Sequence, residues 1–121
     1  IREGIIMECF KVLFHVNEND RWPVVITNIG NFLKDVGQEN AEVEVVANGA
    51  AVWAFASDSG GELLERMKQL AARGVRFAAC RNAINAHALN ESALPPFVAV
   101  VSAGITEIAR KQCLGYAYIK P

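Results

Sequence analysis

Three cysteines and two histidines carry most of the nucleophilic and metal-ligating chemistry open to this sequence, and their placement decides what that chemistry can be. Cys9, Cys80 and Cys113 are an odd set at wide spacing with no C-x-x-C pair, which argues against a disulfide framework and against a zinc site. Cys80 stands apart because it ends a run of strand formers, Val75 to Cys80, just before a stretch at 82–88 that can hold a helix. The first backbone N–H groups of such a helix, together with Arg81, would favour thiolate over thiol, and a thiolate can accept or carry sulfur. The same residue also reads as a small buried hydrophobe, the common fate of a free cysteine. Cys113 recurs with Ile105, Ile108 and Ala109 at helical spacing and reads as core. Cys9 lies at the amino end of the first strand and reads as structural. His15 reads either as a base or ligand near Cys80 or as a hydrogen-bonded residue at a strand end, and His87 as a solvated side chain. Ligand spacing gives no support to a metal site built from Cys80, His15 and His87.

The elements that must position these residues alternate along the chain. Residues 9–16 form an apolar, strand-forming run that stops at Asn17-Glu18-Asn19-Asp20, a cluster able to cap a helix. Trp22, Val25, Ile26, Ile29, Phe32, Leu33 and Val36 then recur at helical spacing, Pro23 falls in the first turn, and Gly37 suits the helix end. A second strand is expected over 42–47, a short apolar helix over 50–56, a break at 57–61, and an amphipathic helix ending at Gly74. A third strand at 75–80 leads into an ambiguous segment, 81–92, closed by Pro95-Pro96. A fourth strand at 97–101, a last helix ending at Gly115 and an edge strand within 116–121 complete the order. Such alternation implies right-handed βαβ crossovers and a parallel sheet covered on both faces. Trp22, Trp53 and Phe55 fit core or subunit contacts better than a platform for stacking bases.

Ligands of open parallel α/β sheets bind beyond the carboxyl ends of the strands. That rule selects His15 and Asn17 after the first strand, Asn48 and Gly49 after the second, Cys80, Arg81 and Asn82 after the third, and Ser102 and Gly104 after the fourth. Asn48-Gly49 reads chiefly as a tight turn, and Ser102-Ala103-Gly104 as an N-cap and loop that could also present N–H groups to an anion. The chain has 121 residues, 52% of them hydrophobic, which fits one domain with a real core. A net charge of −1 supplies no basic excess for nucleic acid. No apolar run approaches the roughly 20 residues that span a bilayer, so no membrane partner is expected. Neither G-x-G-x-x-G after a strand nor G-x-x-x-x-G-K-[ST] occurs, and no cofactor is expected. Met7 is the expected natural start, with residues 1–6 an expression remnant or upstream extension, and 7–121 a single domain. The start lacks the features of a signal peptide, so a cytoplasmic location is expected.

Four segments in order, Lys11 to Asn17, Val45 to Gly49, Phe77 to Ala83 and Gly115 to Pro121, resemble the DsrE/DsrF-like family, and within it the small stand-alone YchN-related branch. The resemblance covers residues 8–121 and implies a three-layer α/β/α sandwich with a five-stranded, essentially parallel sheet, flavodoxin-like in class. It also implies homo-oligomers, commonly trimers or hexamers. In the family's sulfur-relay members, such as DsrE and TusD, a cysteine after the third strand carries a persulfide between a donor and an acceptor protein, and Cys80 matches that position. The residues flanking Cys80 differ from those of the relay members. Two functions therefore follow as expectations: a sulfur carrier working through Cys80, and a non-enzymatic small-molecule-binding or assembly module in which Cys80 only lines a pocket.

Overall fold

The computed structural model describes residues 9–56 and 61–121. The expected start at Met7, the extension before it and most of the break at 57–61 lie outside the described residues. Five strands form the sheet: β1 (Phe10–Val16), β2 (Ala41–Ala47), β3 (Arg76–Cys80), β4 (Val98–Val101) and β5 (Ala117–Ile119). The helices are α1 (Trp22–Val36), α2 (Glu62–Ala72), α3 (Arg81–Ala86) and α4 (Gly104–Cys113). All strand pairs are parallel and the spatial order is β4-β3-β2-β1-β5. The parallel sheet expected from the alternation and the three-layer α/β/α fold implied by the resemblance are both present.

Local sequence explains the main elements. Helix α1 places Trp22, Val25, Ile26, Ile29 and Leu33 on its buried face, and Gly37, at φ 86°, donates its N–H to Leu33 O at 2.8 Å to close the last turn. The polar cluster before it supplies no side-chain cap; Asn19–Arg21 form a 3₁₀ turn that leads straight into the helix. The apolar segment Gly49–Ala56 is a 3₁₀ helix with Ala51, Val52, Ala54 and Phe55 buried, having no polar face to turn outward. The ambiguous region after Cys80 resolves into α3, six residues long, and a further 3₁₀ turn, Glu91–Ala93.

The sheet has two unequal coverings. Each step from β1 to β4 moves to the next neighbour in one direction, so right-handed crossovers put α1, the 3₁₀ segment, α2 and α3 on one face. Trp22, Phe55, Phe77, Met67 and Ile84 fill that face, and Trp22 Nε1 donates to Ala51 O at 3.0 Å. The connection from β4 to β5 runs back across the sheet, which sends α4 alone to the other face. There Leu13, Val46 and Ala78 meet Ile108 in a small second core.

Helix α4 lies differently from its sequence reading. Gly104, Glu107 and Ile108 face inward, whereas Ile105 is 66% exposed and Ala109 and Cys113 are also exposed. Cys113 is thus a surface thiol rather than a core residue, because the buried stripe turns toward Glu107, which has a polar partner beneath it, and away from the Ile105–Ala109–Cys113 row. Cys9 is exposed as well. Ile108→Ala is expected to cost about 2–4 kcal/mol in denaturant unfolding. Cys113→Ala is expected to stay within about 0.5 kcal/mol of wild type, which checks the orientation of α4.

Candidate functional site

The loops leaving β1, β2 and β3 turn toward one face of the sheet and the loop leaving β4 turns toward the other, and this reversal at the carboxyl edge is where the binding crevice of an open α/β sheet is expected. Strand register sets its floor. Val16, Ala47 and Ala79 stand side by side on β1, β2 and β3. Asn17, Asn48 and Cys80 are therefore the next residues along three adjacent strands. Asn48 N–H donates to Val16 O at 3.0 Å and holds the ends of β1 and β2 together. Gly49 follows at φ 54°, where a Cβ would lie 3.0 Å from Asn17 O, so this turn requires glycine.

Cys80 is the residue immediately before α3 and is 6% exposed. Its other boundary is the first turn of α4: a Cβ placed on Gly104 would lie 3.3 Å from Cys80 Cβ and 3.2 Å from Asn48 Cβ. Gly104 thus lets the start of α4 close directly over the ends of β2 and β3. Ala103 is the N-cap and makes no side-chain cap, and Ser102 is exposed.

His15, only 8% exposed, anchors the β1 side. Its Nε2 lies 2.9 Å from Asn48 Oδ1 and its Nδ1 2.6 Å from the Tyr118 hydroxyl. A neutral imidazole satisfies both contacts, with Nε2–H donating to the amide oxygen and the phenol O–H donating to Nδ1. Of the two sequence readings of His15, the structure shows the hydrogen-bonded strand-end residue, bound to Asn48 and Tyr118. Tyr118 was not among the sequence-derived candidates. The signal was the alternation Tyr116-Ala117-Tyr118, which puts both tyrosines on the face that α4 covers once β5 pairs with β1.

The remaining candidates separate. Arg81 turns away to a bidentate pair with Glu91, at 3.1 and 3.2 Å, and this hydrogen-bonded pairing holds the Glu91 carboxyl below its ordinary value. The sequence reading in which Arg81 tunes the Cys80 thiolate is corrected on this point, since its charge is already matched by Glu91. Asn82 is exposed on α3, and Asn17 is half-buried with its carbonyl against the Gly49 turn. His87 accepts from Trp53 Nε1–H at 3.0 Å and is half-buried rather than freely solvated. Among the described residues no three His, Cys, Asp or Glu side chains gather as a metal-binding group. Also among the described residues, no helix is long and apolar enough to cross a membrane.

Residues 6–121 match the model of the DsrE/DsrF-like family. The chain belongs to that family. Several solved structures share its fold. A protein of unknown function, MTH1491 from Methanobacterium thermoautotrophicum, is 35% identical with a TM-score of 0.83, over 93% of this chain and 99% of that one. A conserved protein of unknown function, BT1422 from Bacteroides thetaiotaomicron, is 14% identical with a TM-score of 0.71, over 92% and 94% of the two chains. The ychN protein from E. coli is 13% identical with a TM-score of 0.67, over 95% and 100%. No curated protein sequence matches the chain. The DsrE/DsrF-like assignment expected from the four segments is met, and the ychN protein shares the fold.

Tyr118→Phe removes the donor to His15 Nδ1 and is expected to cost about 1 kcal/mol of stability. It should also release the fixed imidazole tautomer, read as a change in the ring nitrogen shifts by NMR.

Proposed function

We propose that this DsrE/DsrF-like protein is a cytoplasmic sulfur carrier with Cys80 as its acceptor and donor atom. The observation that carries the reading is the position of Cys80, at the end of the third strand, on the crevice floor, between Asn48 and the start of α4. In the exchange the Cys80 thiolate attacks the outer sulfur of a donor persulfide. The donor S–S bond breaks, its thiol leaves, and Cys80 holds the sulfur as Cys–S–SH. An acceptor thiolate then attacks that outer sulfur and returns Cys80 to the thiolate, with no net oxidation in either transfer. Gly104 packs against Cys80 and Asn48, and a donor and an acceptor protein are the partners this chemistry requires.

Incubation with a low-molecular-weight persulfide is expected to add the mass of one sulfur atom to wild type and none to Cys80→Ser at that position, mapped by peptide mass spectrometry. Absence of added sulfur on wild type, or unchanged loading of the variant, would sink the reading.

A second reading draws on the burial of Cys80, which is 6% exposed. On it the crevice is a pocket for a small molecule in a binding or assembly module, and the thiol is packing. An alkylation rate for Cys80 no faster than that of a free thiol at the same pH would favour this reading over the first.

Both readings include self-assembly. Ile105 on α4, Leu114 at its C-cap, and Tyr118 and Ile119 on the two faces of β5 are exposed large hydrophobic residues, and a homo-oligomer, a trimer or hexamer, would cover part of this apolar area. Ile105→Asp is expected to shift the protein to monomer in sedimentation or light scattering, with its fold retained by circular dichroism.

A further inference from the structure

The second core contains a polar group that the proposed sulfur chemistry does not use. Glu44 lies at the centre of β2, flanked by Leu13 on β1 and Arg76 on β3, and it is 2% exposed beneath α4. Lys111 Nζ lies 3.2 Å and Arg76 Nε 3.4 Å from its Oε1, so two cations pair with that oxygen, while the buried Oε2 has no donor among the described residues. Glu107, also buried, reaches hydrogen-bonding range of Glu44 from α4 and pairs with Arg110 at 3.3 Å. Tyr116, before β5, directs its hydroxyl to Glu42 at 3.0 Å and carries the Lys111 ammonium over its ring. Two ionised carboxylates side by side have nothing to donate to one another. One proton between them turns the contact into a short carboxyl–carboxylate hydrogen bond and satisfies a buried oxygen on each.

We propose that Glu44 and Glu107 share one proton and so form a pH-dependent latch that holds helix α4, and with it the cover over Cys80, against the sheet. The latch is a property of the packing and stands whether or not Cys80 carries sulfur. Its reach to Cys80 runs through α4 itself: Glu107 is in the first turn of the helix whose initial residue, Gly104, lies against Cys80 and Asn48. Ile108 is the one buried large apolar side chain of α4, so the carboxyl pair is a large part of what fastens the helix.

The direction of the pH dependence follows from which carboxyl holds the proton. Burial, and then the neighbouring Glu107, push Glu44 up from 4.5 to about 7, while the bond from Glu44 holds Glu107 below its ordinary value. For Glu44 the folded form keeps a proton that the opened form has lost. Its contribution is complete below pH 4.5 and is lost as the pH rises to about 7. Glu107 works in the opposite sense and only below 4.5, so the two effects occupy separate ranges. Above about 7, Lys111 and Arg76 still face an ionised Glu44, and α4 is held more loosely rather than released.

Hydrogen exchange of the α4 amides in the full chain, compared at each pH between wild type and Glu44→Gln, tests the latch. The side-chain amide that this substitution introduces donates permanently and does not titrate. Opening of α4 in wild type relative to the variant is expected to rise by about tenfold per pH unit through the window between 4.5 and about 7, then level off. Alkylation of Cys80, expressed as the same wild-type-to-variant ratio, should follow the same curve. A ratio that is flat with pH overturns the proposal, and so does a rising exchange ratio with a flat alkylation ratio. Should Glu44→Gln fail to fold, difference infrared spectra of wild type decide the matter. A neutral-acid C=O stretch present inside the window, lost above it and missing from Glu107→Gln supports the shared proton; its absence from wild type inside the window overturns it.

Discussion

The handedness of the strand connections governs most of this molecule. A chain that steps from β1 to β2, β3 and β4 in one direction across a parallel sheet must place every intervening helix on the same face, and the single return step must place its helix on the other. Helix α4 is therefore the sole helical cover of the second face among the described residues. Everything distinctive follows from that arrangement. The crevice at the carboxyl edge exists because the last loop departs opposite to the first three. The second core is small because one ten-residue helix must cover it. The apolar row on the outer side of α4 is left without a neighbour in the single chain.

Within that frame the site is built by close approach more than by charge. Two glycines set its dimensions, Gly49 by permitting a turn against the Asn17 carbonyl and Gly104 by letting a helix start against Cys80. Asn48 joins them, with its backbone bonded to β1 and its side chain bonded to His15. The polar groups near Cys80 are thus already committed to one another, and Arg81 is committed to Glu91. Whatever enters the crevice meets a hydrogen-bonded wall with a thiol in its floor.

Much of this is legible in the residues. The apolar runs of β1, β2 and β4 and the helical spacing from Trp22 to Leu33 are strong local signals, and the strand-end rule by itself selects His15, Asn48, Cys80 and Gly104, which the fold brings together. Three features are hidden for physical reasons. The face that α4 presents cannot be read from hydrophobic spacing, because the helix buries a carboxylate, Glu107, in preference to Ile105. Glu44 sits in an alternating Glu-Val-Glu-Val pattern that ordinarily marks a solvated face, and it is buried only because α4 returns across the sheet. Tyr118 touches His15 through a strand pairing between distant parts of the chain, which no local pattern encodes.

That last contact has a kinetic side. The bond between His15 and Tyr118 joins residues 103 positions apart, and closing so long a loop carries a large entropic cost that local contacts cannot offset early. The stepwise pairing of β1 with β2, β2 with β3 and β3 with β4 needs only short excursions of the chain, so those strands can assemble before β5 docks. The imidazole gains its Tyr118 partner only where β5 has paired with β1. A partly folded chain with β3 formed and α4 not yet packed lacks the cover that Gly104 places against Cys80, so in that state the thiol is open to oxidation.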